Sequence, residues 1–366
     1  MAKARLMDRP EDYERFGVKP GPVEPWEDGR RIEDGERGWW EWWYFDAILD
    51  DGTNVVVQFF TKSGATMYLK SAHPNFTCRI TLPDGTERAK EKRFPAAQAS
   101  WSRKCCNVNY DGNLFQGALK NYRILVKPDD GTGVDLILRS LSTPYRPGSS
   151  YIEFGAPDRL YTWLCAVPRG EVDGTITVDG QEREVHGFGY HDHQWGNVNF
   201  LKEWNHWVWA RQSFEDRSIT VFDMVSNERT EFTRFPFVFV QDAQGQIIFE
   251  STEDVACEVL GEYDDEASGK VYPSGVSYVF HDKARGATAE YTIRMHDITE
   301  NNGKNSMSLF KRTVTKLAGI DPSYTRYAAT GELALTGADG KRTERAGELI
   351  YEFMYPGATW KGHLQA

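Results

Sequence analysis

Cysteine is scarce in this chain, no long apolar run occurs and positive charge is not in excess, and each shortage closes off a class of protein. The five cysteines among 366 residues (Cys78, Cys105, Cys106, Cys165 and Cys257) are odd in number and form no CxxC pair. Neither a disulfide framework nor a cysteine-based structural zinc site is indicated, and reduced thiols are expected. No stretch reaches the roughly eighteen consecutive apolar residues of a membrane-spanning helix. Residues 1–17 are charged and lack the apolar centre of a secretory signal, so a cytoplasmic location is the expectation. A formal net charge of -11 argues against nucleic acid or an anionic membrane surface as the main partner, leaving at most peripheral membrane contact. No Walker loop, dinucleotide fingerprint or G-x-S-x-G elbow occurs. Cys105-Cys106 has no histidine placed by sequence to activate it, so no thiol nucleophile is assigned.

Helical periodicity is nearly absent as well, apart from a short helix expected around Glu11 to Phe16. Short β-rich runs alternate with turn signals instead. Asp50-Asp51-Gly52-Thr53, Pro83-Asp84-Gly85, Asp129-Asp130-Gly131, Asp179-Gly180, Gln244-Gly245 and Asp339-Gly340 all adjoin apolar or alternating segments. This pattern predicts an all-β protein of antiparallel barrels or sandwiches. An internal echo divides it. Trp43-Tyr44-Phe45 and Val55-Val56-Val57 are echoed by Trp207-Val208-Trp209 and Ile219-Thr220-Val221, at an offset of 207 − 43 = 164 residues. Such a length suits one curled sheet of roughly eight to ten strands, the lipocalin size class. The expected organisation is an N-terminal arm (residues 1–38) and two β-halves of that size class, 39–200 and 201–366.

Aromatic residues make up 13% of the chain and include 12 tryptophans, so a large aromatic pocket is expected, with filling of β-sheet cores as the plainer alternative. The most concentrated chemistry lies in GFGYHDHQWG, Gly187 to Gly196. Glycines there permit sharp turns or close backbone approach. If the middle is extended, side chains alternate. Tyr190, Asp192 and Gln194 then share one face, and His191, His193 and Trp195 the other. A carboxyl screened from water by aromatics has its pKa raised, making Asp192 an acid able to protonate an alkene, carbonyl or epoxide. Trp163, Tyr161, Trp43 and Tyr44 are the candidate wall for the resulting cation. The competing reading is that Asp192 satisfies local backbone. On the other face, His191 and His193 could hold a metal, with His186 or His206 as a third ligand, or could brace the loop by hydrogen bonds. Glu41 stands among Trp39, Trp40, Trp42 and Trp43, either at a pocket mouth or paired with Arg169 or Arg211.

Three segments carry a family resemblance: Glu41-Trp42-Trp43-Tyr44-Phe45, the run WLCAVP from Trp163 to Pro168, and Gly189-Tyr190-His191-Asp192-His193-x-Trp195-Gly196. Together they resemble the carotenoid 1,2-hydratase (hydroxyneurosporene synthase) and AttH-like lipocalin superfamily, with more distant likeness to fungal lipocalin-like Diels–Alderases and kievitone hydratase. The resemblance implies two lipocalin-like β-domains packed together, a hydrophobic small-molecule substrate, no cofactor and no metal. It implies that Asp192 is the acid/base, helped by Tyr190 and Trp163. On that resemblance His191 and His193 become supports for Asp192. His191, His193 and Glu41 stand as residues behind the reacting groups or as further acid/base candidates, and Trp43, Tyr44, Tyr161, Trp195 and Trp207 are the expected substrate contacts. The expected activity is an acid-catalysed hydratase, isomerase or cyclase acting on an unsaturated terpenoid, steroid, polyketide or aromatic. The alternatives are a pericyclic cyclase working by shape, or a non-catalytic carrier of lipophiles.

Overall fold

A computed structural model describes residues 3–302 and 322–357. Residues 303–321 and 358–366, within the expected second domain, lie outside the described residues. The described chain is all-β. Its strands form a 13-stranded sheet and a 9-stranded sheet, and every registered neighbour pair is antiparallel. Two compact units result. One comprises Leu6–Glu153 and Asp158–Val198, the other Met1–Arg5, Phe154–Pro157 and Asn199–Ala366.

Every turn signal found in the sequence joins two paired strands. Gly52, Gly85, Gly131, Gly180, Gly245 and Gly340 all have positive φ there, which a residue with a Cβ adopts at a cost. The expected helix is present at Pro10–Phe16. Proline occupies its first turn, where a missing N–H costs nothing, and Gly17 closes it in the left-handed region.

In the first unit, the long path of the sheet places strand Gln181–Gly196, which carries the motif, between strands Trp40–Leu49 and Leu160–Val178. The motif strand is therefore hydrogen-bonded on both edges, and its two faces are the only directions left for its side chains. One face joins a core of Trp43, Phe45, Val57, Phe59, Phe76, Phe115, Ile124, Leu136 and Val167, all essentially inaccessible. The second unit has a separate core that includes Val208, Ile219, Val221, Tyr278, Tyr291, Tyr351 and Phe353.

The two units share a wiring that matches the sequence echo. In the first, Trp40–Leu49 pairs with the following strand Asn54–Lys62 and with the late strand Gln181–Gly196. In the second, Trp204–Ser213 pairs with the following strand Arg217–Ser226 and with the late strand Arg342–Met354. Trp43 and Trp207 thus occupy strands of equivalent topology.

Candidate active site

The register across the three central strands fixes what meets what. Tyr190, Asp192 and Gln194 lie opposite Asp46, Tyr44 and Trp42 on one side. On the other side, Asp192 and Gln194 lie opposite Cys165 and Trp163. Residues directly across a ladder share a face, so these side chains form one patch. The ladder to Leu160–Val178 is interrupted between Cys165 and Val167 and again between Val167 and Gly170. Bulges there bend the strand beside the motif, a common way of aiming side chains at a site.

Asp192 is the centre of the patch and is 5% exposed. Its Oδ2 accepts hydrogen bonds from the Tyr190 hydroxyl at 2.9 Å, from Trp163 Nε1 at 3.2 Å and from Gln194 Nε2 at 3.2 Å. Gln194 is itself oriented, because its Oε1 accepts from the Tyr161 hydroxyl at 2.8 Å. Burial pushes the Asp192 carboxyl up to about 6, against the pull of the Tyr190 hydroxyl, the nearby His191 charge, Gln194 and Trp163, all of which favour the ionised form. The phenols move the same way. Burial, then the charge of Asp192, holds Tyr190 well above the usual tyrosine range, and Tyr161 likewise. They stay protonated and act as donors. Tyr190, Trp163 and Tyr161 are buried, whereas Trp42, Tyr44 and Gln194 are half-buried. A buried acid rimmed by partly accessible aromatic faces is the outcome.

The opposite face carries a different cluster. His191 Nδ1 lies 2.8 Å from the Tyr44 carbonyl, and its Nε2 lies 3.1 Å from Asp28 Oδ2. His193 sits between two carboxylates, with Nε2 3.2 Å from Glu41 Oε1 and Nδ1 3.5 Å from Asp28 Oδ1. All four side chains are fully inaccessible. Tyr122 donates to Asp28 Oδ2 at 2.6 Å, and the Arg31 amide donates to Glu41 Oε1 at 2.5 Å. The Trp43 ring stacks on His193 at 4.6 Å and donates its N–H to the Asp28 carbonyl.

Several expectations change on this geometry. His191 and His193, expected as supports for Asp192, make their hydrogen bonds and ion pairs to the Tyr44 carbonyl, Asp28 and Glu41 instead. They lie across the sheet from Asp192, and His191 reaches it only through charge. Glu41 pairs with His193 and the Arg31 amide rather than with Arg169 or Arg211, and it is too buried to stand at a pocket mouth. Trp43 and Trp195 share the histidine face, and Trp195 donates to the Tyr151 hydroxyl, so neither lines the Asp192 patch. Trp207 belongs to the other unit and is half-buried. His186 is bound to Asp173 on an exposed part of the motif strand, and His206 is bound to Asn205, so neither joins His191 and His193. Asp192, Tyr190, Trp163, Tyr161 and Tyr44 do come together.

Sequence reading missed Asp28, Asp46 and Tyr122. Asp28 lies in the polar stretch read as an arm, yet it is fully buried in the first unit. Asp46, opposite Tyr190, accepts from the Tyr44 hydroxyl at 3.1 Å and adds a second carboxyl to the acid's face. Period-two counting from Trp42 and Tyr44 would have put it there.

Residues 36–301 match the family described as AttH-like, and the chain belongs to that family. Among curated proteins it is similar to the Diels-Alderase cheD of Chaetomium globosum, 26% identical over 196 residues covering 52% of this chain and 43% of that protein. The chain spans about half the length of the curated relatives it matches. Two solved structures share the fold. A putative AttH from Nitrosomonas europaea has a TM-score of 0.60 at 16% identity, covering 93% of this chain and 99% of that one. Kievitone hydratase from Nectria haematococca has a TM-score of 0.55 at 12% identity, covering 92% and 94%.

Proposed function

We propose that the chain is an enzyme that rearranges, hydrates or cyclises a hydrophobic unsaturated small molecule by proton transfer from Asp192, with side chains as the only reacting groups of the protein. The observation that carries this reading is the buried carboxyl, raised to about 6 and surrounded by aromatic rings. The neutral acid gives its proton to an alkene carbon, a carbonyl oxygen or an epoxide oxygen. Tyr190, Trp163 and Gln194 then hold the resulting carboxylate through the three donors already aimed at Oδ2. Tyr44, Trp42 and Tyr161 offer π faces to the cation. Water addition, loss of a neighbouring proton or ring closure completes the reaction, and a proton released in that step restores Asp192. Names among the relatives, a Diels-Alderase and a hydratase, are compatible with conversions of this kind.

With a midpoint near 6, roughly a tenth of Asp192 is protonated at pH 7, so an acid-limited rate falls about tenfold per unit above that. The test is turnover of a terpenoid and polyketide panel in deuterium oxide. Where an alkene is the acceptor, wild-type protein is expected to place non-exchangeable solvent deuterium on carbon in the product, and for every acceptor Asp192→Asn is expected to lose turnover. Full activity in that variant would sink the mechanism.

One observation favours a second reading, in which the pocket works by shape. Three donors on one oxygen hold Asp192 firmly as a hydrogen-bonded anchor. Turnover would then proceed without deuterium uptake, survive Asp192→Asn and fall when Trp42 or Tyr44 is cut to Ala.

A further inference from the structure

We propose that the inner face of the motif strand binds one zinc-class divalent ion through Asp28, His191 and Cys106. This departs from the sequence expectation of no metal, and it concerns the face opposite Asp192. The three side chains are fully buried, and one ligand atom from each lies within 4.8 Å of the others.

Hydrogen bonding shows what the cluster requires. A carbonyl oxygen only accepts, so the His191 nitrogen facing Tyr44 O at 2.8 Å is the N–H. The other nitrogen, Nε2, faces Asp28 Oδ2 at 3.1 Å, so this contact holds either a second proton, as an imidazolium–carboxylate pair, or a cation bound by both atoms. The outer N–H of a metal-bound histidine is characteristically given to a backbone carbonyl, as here, and a ligating carboxylate is itself hydrogen-bonded. Tyr122 supplies that bond at 2.6 Å. A second observation points the same way. Among the described residues, the inaccessible Asp28 Oδ1 has no hydrogen-bond partner, its neighbour at 3.5 Å being His193 Nδ1. A buried carboxylate oxygen left without a donor calls for a partner, and Asp28 Oδ1 belongs to one of the three ligands.

The donor set selects the ion. Sulfur, imidazole nitrogen and carboxylate oxygen at one centre suit zinc and its tetrahedral neighbours rather than magnesium or calcium. A coordinating thiol is deprotonated, so thiolate and carboxylate together neutralise a divalent charge. Cys106 and Tyr122 also line a surface depression of about 530 Å³ with Cys105, Gly117 and Arg123. The bound ion would tie the segment around Asp28 to the motif strand.

The test uses the whole chain, stripped with chelator and titrated with cobalt(II). One equivalent is expected to bind with a thiolate-to-cobalt charge-transfer band and tetrahedral d–d bands, and zinc should displace it. Cys106→Ser should abolish the charge-transfer band. Tyr122→Phe, which keeps all three ligands, should weaken binding on the order of 10–100-fold. Asp192→Asn should bind as wild type does, so failure here leaves the acid mechanism untouched. The proposal is overturned if no saturable binding occurs at micromolar cobalt, or if the band persists in Cys106→Ser. Circular dichroism of each variant establishes that a loss is not unfolding.

Discussion

Replacing Tyr190 by Phe isolates the force that opposes burial at Asp192. The substitution keeps the buried ring and deletes one O–H, the donor 2.9 Å from Oδ2. Because the Tyr190 phenol is held well above its ordinary range, it is a neutral donor throughout the titration of Asp192. A hydrogen bond to a charged group is worth about 1.5–3 kcal/mol, and one pKa unit corresponds to about 1.4 kcal/mol, so the loss converts to about 1–2 units. The sign is fixed. A donor favours the ionised carboxylate, so its removal raises the midpoint above the wild-type value of about 6. Trp163→Phe should shift it the same way by less, since its bond is longer at 3.2 Å. The assay is an infrared difference titration of the protonated carboxyl stretch in aspartate-labelled protein, with the band assigned by its absence in Asp192→Asn. No substrate is needed. A midpoint that is unchanged or lower in Tyr190→Phe refutes the reasoning, and so does a wild-type carboxyl titrating in the ordinary range.

Two further outcomes follow. The Asp192 carboxyl is raised from 3.8 to about 6, so the native state holds this proton more tightly than the unfolded chain. Its contribution is full below about pH 4 and is lost as pH rises through about 6, a fall of about 3 kcal/mol for a shift near two units. Urea unfolding across that window should show Asp192→Asn lacking this fall, and parallel profiles for the two proteins would contradict the assignment. Gly187→Ala should destabilise the first unit by about 1–3 kcal/mol through overpacking, because its Cβ would sit 2.3 Å from the Ile48 carbonyl oxygen. An unchanged thermal midpoint would show that the paired strands can separate to accept it.

Two faces of one strand were legible because alternation is a local rule. Once the segment around Asp192 is extended, Tyr190, Asp192 and Gln194 must point together and His191 and His193 must point away. Antiparallel pairing then brings Tyr44 and Trp163 to the first group. What was not legible is which face each aromatic of the neighbouring strand would take. Trp42 and Trp43 are adjacent and chemically alike, and only the register Gln194 opposite Trp42 and His193 opposite Trp43 separates them. Asp28 was further out of reach. Its surroundings from Pro20 to Gly38 are polar and proline-bearing, the composition of an exposed arm, and its burial comes from partners 94 and 163 residues away. Such a carboxylate can be kept in an apolar interior only by partners equal to its charge. Two histidines spaced to share a face, with one carboxylate (Glu41) on the neighbouring strand, were thus an incomplete set when read along the chain. The two halves of the motif therefore divide their work: the Asp192 face leaves a carboxyl short of stabilising charge, which favours the acid form. The histidine face gathers charge inward and fixes the strand that presents it.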